Sequence, residues 1–210
     1  MAQAIGQRAA KCINRLSYFI VRGLYFANIL LFKEFRIYQI LLKDWMDSYS
    51  FIDYQFSEQL VKATISIEDK RFYNHYGHDA FSIIRAVLNN LKGNRRQGAS
   101  TIEQQIVRTI IKKSEQTFKR KYFEITLSGL LFDRFTKSET INIYLNCYEF
   151  QPDVIGVISF CEKENYPIDK LTKKDIYEIS ARFKYPKINK ENYIRYLKRV
   201  RTIEIINNNT

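Results

Sequence analysis

Glu68 and Asp69 stand side by side, followed closely by Phe72, His75, Gly77 and His78. A carboxylate beside aromatic, partly apolar walls can be tuned as a general base, with Asp69 or His75 holding it in place. As plain structure, the same window is a charged helix end followed by a turn around Gly77. His75 and His78 have a spacing that suits two metal ligands, but no third ligand is evident and no metal site is expected. The stretch "GASTIEQQ", Gly98 to Gln105, has the form of a capping box, with Ser100 at the cap and Glu103 at the third helical position. A cap does not account for Gln104 and Gln105, nor for a glycine leading into the helix. Free backbone N–H groups there, with hydroxyls and amides, suit phosphate or sugar oxygens. Arg120 and Lys121 precede Glu124 by four and three residues, so the three share a helical face, and Arg108 and Lys112 lie one helix earlier. That face is either a surface ion pair contributing a few tenths of a kcal/mol or a cationic clamp on a phosphate leaving group. In "KSETINIYLN", Ile141, Tyr144 and Leu145 fall at core positions, leaving Lys137, Glu139 and Asn146 on a polar face.

Helices must position these groups. The 210 residues suit one domain with a real core, and 46% of them are hydrophobic, which excludes a disordered chain. Seven glycines and three prolines are too few to punctuate a β-sandwich or barrel. Ala80, Ile83, Ile84, Val87, Leu88 and Leu91 keep a helical rhythm until Gly93 stops it, and "GNRRQG" follows as a basic loop. Further helices are predicted from Ser100 to about Lys113, and over 118–135, 138–146, 173–183 and 190–206, with a break at Pro152 and Gly156. Cys12, Cys147 and Cys161 show neither zinc-ligand nor disulfide-framework spacing.

The formal charge of +12 favours an anionic partner. Tyr and Phe fall mostly at helical core spacing rather than interleaved with Lys and Arg, so nucleic acid is not expected. Residues 16–32, "LSYFIVRGLYFANILLF", are mostly apolar but contain Arg22 and Asn28. On a helical wheel Arg15, Arg22, Lys33 and Arg36 fall along one stripe, which suits a helix lying in a membrane interface. A short spanning anchor and a buried soluble helix are the alternatives, and no signal-peptide cleavage pattern is visible. Residues 1–45 are therefore expected to form a membrane-associating helical segment, and 46–206 the domain that carries the chemistry.

Taken in order, the four clusters resemble the peptidoglycan glycosyltransferase family, found as monofunctional transglycosylases and as the N-terminal part of bifunctional penicillin-binding proteins. The motifs stand as Glu68-Asp69-x-x-Phe72-x-x-His75-x-Gly77-x-Asp79, Gly98-x-Ser100-Thr101-x-x-Gln104-Gln105, Arg120-Lys121-x-x-Glu124, and Lys137 to Asn146. The resemblance covers about residues 54–160. It implies an all-α, lysozyme-like fold with two lobes, one facing the membrane. It implies an inverting transferase that polymerises lipid II, with the growing glycan on undecaprenyl pyrophosphate as donor. Glu68 would be the general base and Glu124 the second essential carboxylate. Asp69, Phe72, His75, Ser100, Thr101, Gln104, Gln105, Arg108, Arg120, Lys121, Lys137 and Asn146 would bind substrate. No dedicated metal site is implied, although a divalent cation, Mg or Mn, would assist the pyrophosphate. The setting would be the bacterial cytoplasmic membrane, with the catalytic domain on its outer or periplasmic face and cell-wall synthesis proteins as partners.

After residue 150 the sequence departs from the family pattern: "CYEFQPDVIGVISFCEKENYP" keeps little of the usual glycine-rich stretch beyond Gly156. Two alternatives follow from that departure. One is a related enzyme acting on another undecaprenyl-linked saccharide, and the other is an inactive membrane-bound scaffold that retains the fold.

Overall fold

The computed structural model of the protein describes residues 2–49, 54–92, 98–112 and 117–208. Among these residues the chain forms ten α-helices, two short 3-10 turns and one two-stranded hairpin. In order they are α1 (Ala2–Leu31), α2 (Lys33–Ser48), α3 (Glu58–Glu68), α4 (Ala80–Leu91), α5 (Ile102–Ile111), α6 (Phe118–Arg134) and α7 (Lys137–Cys147), then β1 (Glu149–Gln151), β2 (Val154–Ile155), α8 (Gly156–Lys163), α9 (Lys173–Arg182) and α10 (Tyr193–Asn208). The chain is thus mainly helical, as its glycine and proline content requires. Two compact units form: one takes α1, α2, α4, α5, α6 and the start of α7, the other α3, the rest of α7, the hairpin, α8, α9 and α10.

In the first unit α6 packs against α5 and α1, and α5 also against α2. Thr117 starts α6 by accepting the Arg120 backbone N–H, and Phe123, Leu127 and Leu131, four residues apart, form its buried stripe. Phe123 meets the ring of Phe35 edge-on at 5.1 Å, fastening α2 to α6. Residues of the expected 1–45 segment form α1 and most of α2 and pack within this unit. The helix expected over 16–32 begins at Ala2 and breaks at Phe32, where the direction turns by 115° into α2. No single helix among the described residues is long and apolar enough to cross a membrane.

In the second unit α3 packs against α9 and α10. Leu60, Ala63, Ile179 and Ile203 are buried in those helices, while Tyr144 stacks on Phe183 at 5.1 Å and Phe150 on Phe160 at 4.4 Å. The break expected at Pro152 and Gly156 is a hairpin, with Glu149 opposite Ile155 and Gln151 opposite Val154. Gly156 has φ +80°, and a Cβ there would sit 2.5 Å from the Asn146 carbonyl oxygen, so only glycine lets the chain leave the hairpin this close to α7. Strands of two and three residues are too short to show the alternation that marks a strand in sequence.

The helix predicted from Ser100 to about Lys113 starts two residues later and ends at Ile111, because Lys112 takes a left-handed conformation with φ 49°. Lys113 and most of "GNRRQG", from Gly93 to Gln97, lie outside the described residues.

Candidate active site

The side chains that gather in the first unit do so on one turn of α6 facing the start of α5. Glu124 is fully buried, and its carboxylate accepts two hydrogen bonds from Arg108, from Nε at 2.8 Å and from Nη2 at 3.1 Å. Arg120 Nε lies 3.3 Å and Lys121 Nζ 3.6 Å from the same carboxylate. Lys121 also donates to the Ser100 hydroxyl at 2.8 Å and to the Gln104 amide oxygen. Three cations around one carboxylate leave the cluster with a surplus of positive charge. Because Glu124 holds the cations together at low dielectric, the arrangement is prepared for a further anion.

Burial lowers the Lys121 ammonium to about 8; Glu124 opposes the shift, and Arg108 and Arg120 add to it. Lys121 therefore loses its proton as pH rises through about 8, and anion binding at this cluster is expected to weaken over that range. Stability runs the other way. Between about 8 and the ordinary lysine value the unfolded chain holds the extra proton, so this group's contribution to stability rises with pH. A pH titration of inorganic pyrophosphate affinity checks the first effect, and Lys121→Arg should flatten it.

Thr101, not Ser100, caps α5: its hydroxyl oxygen accepts the Gln104 N–H at 3.3 Å and its proton goes to the Gly77 carbonyl at 2.7 Å. That releases the Ser100 hydroxyl to face Lys121 and Arg108. Gln105 is half-buried on the same helix. Gly77 has φ +84°, and a Cβ would meet the Ser128 carbonyl oxygen at 2.5 Å. Gly77→Ala is expected to cost about 2–4 kcal/mol, combining left-handed strain with overpacking. A thermal melt should show that as a loss of several degrees.

Glu103 is not the second half of a capping box. It is fully buried and pairs with Lys137 Nζ at 2.6 Å. Lys137 also lies 4.3 Å above the ring of Phe72, so the buried phenyl stabilises the ammonium from below. His75 is buried and brings a ring nitrogen within 4.8 Å of the Glu103 carboxylate. His78 is held neutral, lowered to about 4 by burial and by His75 against the opposing pull of Asp79, and its Nε2 lies 3.0 Å from the Ser17 hydroxyl. Burial works to raise Asp79, but the Ser82 backbone N–H and the Arg71 guanidinium outweigh it and keep Asp79 below the usual carboxylate range.

In the second unit Glu68 is the last residue of α3, and Asp69 caps that helix through its own N–H to the Ile65 carbonyl at 3.0 Å. The Glu68 carboxylate pairs with Arg199 of α10, and both side chains are largely buried. This pair follows from the packing of α10 against α3. Asn146 donates its amide to the Asn142 carbonyl and side-chain oxygens at 2.9 Å each. Tyr144, on the same helix, is driven well above the usual phenol range by burial first and by the charge of Glu68 second.

The structure therefore brings Ser100, Gln104, Arg108, Arg120, Lys121 and Glu124 into one cluster, with Thr101 shaping its floor. It sets Phe72, His75 and Lys137 around Glu103, and puts Glu68, Asp69 and Asn146 in the second unit. Two residues escape sequence reasoning. Glu103 fits a capping box so well that its true partner is hidden, and Arg199 sits in a helix with many basic residues and no distinguishing neighbour.

Residues 42–204 match the family model described as "Transglycosylase". The chain is 37% identical over 143 residues to penicillin-binding protein 1A of Rickettsia bellii, covering 65% of this chain and 18% of that protein. It is 32% identical over 155 residues to penicillin-binding protein 4 of Bacillus subtilis (67% of this chain, 25% of that protein). To penicillin-binding protein 1A of Neisseria lactamica it is 40% identical over 92 residues (43% of this chain, 12% of that protein). The chain thus spans a quarter or less of the length of these curated relatives.

Proposed function

Because the chain belongs to the transglycosylase family, we propose that it polymerises lipid II into β-1,4-linked glycan strands, with inversion at the donor's anomeric carbon and release of undecaprenyl pyrophosphate. In this reading Glu68 takes the proton from the 4-hydroxyl of the acceptor lipid II as that oxygen attacks the growing chain's anomeric carbon. The electron pair of the breaking bond leaves on the pyrophosphate, where Arg108, Arg120 and Lys121 stabilise the developing charge. Glu124 keeps those cations converged. Ser100, Gln104 and Gln105 offer hydroxyl and amide groups to phosphate or sugar oxygens, and Lys137 and Asn146 are further substrate-binding residues. Arg199 orients the Glu68 carboxylate. Asp69 and His75 are positioning residues, and buried Phe72 supports Lys137.

The observation that carries this reading is the convergence of Arg108, Arg120 and Lys121 on fully buried Glu124. A glycosidase does not need such a surplus of cations, because its leaving group is a sugar hydroxyl, whereas a departing pyrophosphate does. The donor set there suits an anion rather than a metal, since the one carboxylate is already engaged by three cations. A divalent ion, Mg or Mn, would enter with the substrate's pyrophosphate. A lipid-borne substrate requires a membrane-associated enzyme. The reading therefore includes a membrane-facing lobe, residence on the outer face of the bacterial cytoplasmic membrane, and cell-wall synthesis proteins as partners.

Incubation of the purified chain with labelled lipid II in detergent tests the proposal. Polymer that lysozyme digests is the expected product. Polymer formed only from a different undecaprenyl-linked saccharide would replace the substrate while keeping the chemistry. Tight binding of lipid II without polymer under any ion condition would overturn the enzymatic reading in favour of a scaffold.

A further inference from the structure

Helix α1 wears its polarity the wrong way round for a helix whose outer side meets water. Its protein-facing side carries Asn14 and Asn28, 0% and 1% exposed. The Asn14 amide donates to the Asn74 carbonyl at 3.1 Å, and Asn28 accepts from the Tyr122 hydroxyl at 2.9 Å. Its outward side carries Leu16, Phe19, Ile20, Leu30 and Leu31, each more than half exposed. At 100° per residue these five span a sector of roughly 120°, and Arg8, Lys11, Arg15 and Arg22 occupy the adjoining stripe of roughly 60°. An apolar face of this length on the outside of a folded unit needs a cover.

We propose that α1 lies in the plane of a membrane leaflet, its outward face among the upper acyl chains and its basic stripe on anionic phospholipid headgroups; this rests on the membrane-bound reading above and supplies its topology. The cover is identified by charge complementarity, since Arg8, Lys11 and Arg15 are exposed beside the apolar face. The tilt follows from how α1 is held. Its middle runs along α6, with Tyr18 donating to Asp133 at 2.6 Å near one end and Asn28 bonded to Tyr122 near the other. Helix α6 carries Lys119, Arg120 and Lys121 in its first turn and Asp133 and Arg134 in its last. At 17 residues, α6 is about 25 Å long, close to the thickness of the hydrocarbon core, about 30 Å. Standing α1 upright would carry α6 with it and lay this length, including Glu124 and its three cations, along the hydrocarbon, with Arg22 in the middle of the apolar run of α1. Lying flat keeps both ends at one depth and outside the acyl region. After Leu31 the 115° turn into α2 ends the run.

Tryptophan depth measurements on the full chain test this. Trp45 is the only tryptophan, so Leu16→Trp, Phe19→Trp and Leu30→Trp would each be made in a Trp45→Phe background. They are read in phosphatidylcholine–phosphatidylglycerol vesicles brominated at defined acyl positions. The expected result is quenching of all three at one shallow depth, about 5–10 Å below the headgroups. A spanning depth profile, with one probe near the midplane, would overturn the proposal. So would unquenched probes, or probes shielded by a second copy of the chain in sedimentation runs. As a companion, Leu16→Glu/Leu30→Glu should fold normally in detergent and lose about tenfold or more in vesicle affinity; undiminished affinity would also overturn it. Polymerisation in detergent separates the two readings. Shallow probes without polymer would remove the enzymatic function alone, and polymer with spanning probes would remove this topology alone.

Discussion

Glu68→Gln is expected to lower lipid II polymerisation by about 10²–10⁴-fold, the range a general base contributes. Gln keeps the volume and one hydrogen-bond acceptor for Arg199 but cannot take a proton. Both side chains are largely buried, but Gln keeps an acceptor for Arg199, so the melting temperature should fall by several degrees, less than for a fully buried carboxylate. Lipid II affinity should hold, because the cations proposed to bind its phosphates sit on α5 and α6. A rate measured under saturating substrate therefore separates loss of the base from loss of binding. Unchanged turnover in this variant would remove Glu68 from the chemistry.

Glu124→Gln should act in a different way, on stability and activity together. Its carboxylate is fully buried against Arg108, Arg120 and Lys121. Removing one side of a buried ion-pair network costs about 3–5 kcal/mol, because the remaining charges have lost their compensation. For a chain of this length that corresponds to a drop of about 10 °C in melting temperature. Polymerisation should fall by about 10²–10³-fold as the cations spread apart. Added inorganic pyrophosphate should raise the melting temperature of the variant more than that of the unaltered chain, since the anion takes the place of the missing carboxylate. A variant as stable as its parent and indifferent to pyrophosphate would contradict the clamp.

The two carboxylates also differ in how legible they are. Arg120, Lys121 and Glu124 lie three and four residues apart, and α6 had only to form for them to share a face. The start of α4, the extent of α6 and the burial of Ile141, Tyr144 and Leu145 were equally readable, because each rests on apolar spacing along one helix. Local chemistry near a helix start was less certain. Ser100 and Thr101 both have a hydroxyl suited to a cap, and Thr101 takes the role because its proton also reaches the Gly77 carbonyl, a partner 24 residues away in sequence.

By itself, then, the sequence determined the helical class of this protein, the family of its motifs, and every grouping within reach of one or two helical turns. Those features depend on a period of 3.6 residues and on side-chain type, both of which are written locally. Tertiary structure alone decided that Arg199 meets Glu68 across 131 positions, that Lys137 rather than a capped backbone satisfies Glu103, and that the apolar side of α1 points outward. Each of these depends on which helix faces are pressed together. That choice is made by the summed burial of distant side chains, and no short window of sequence records it.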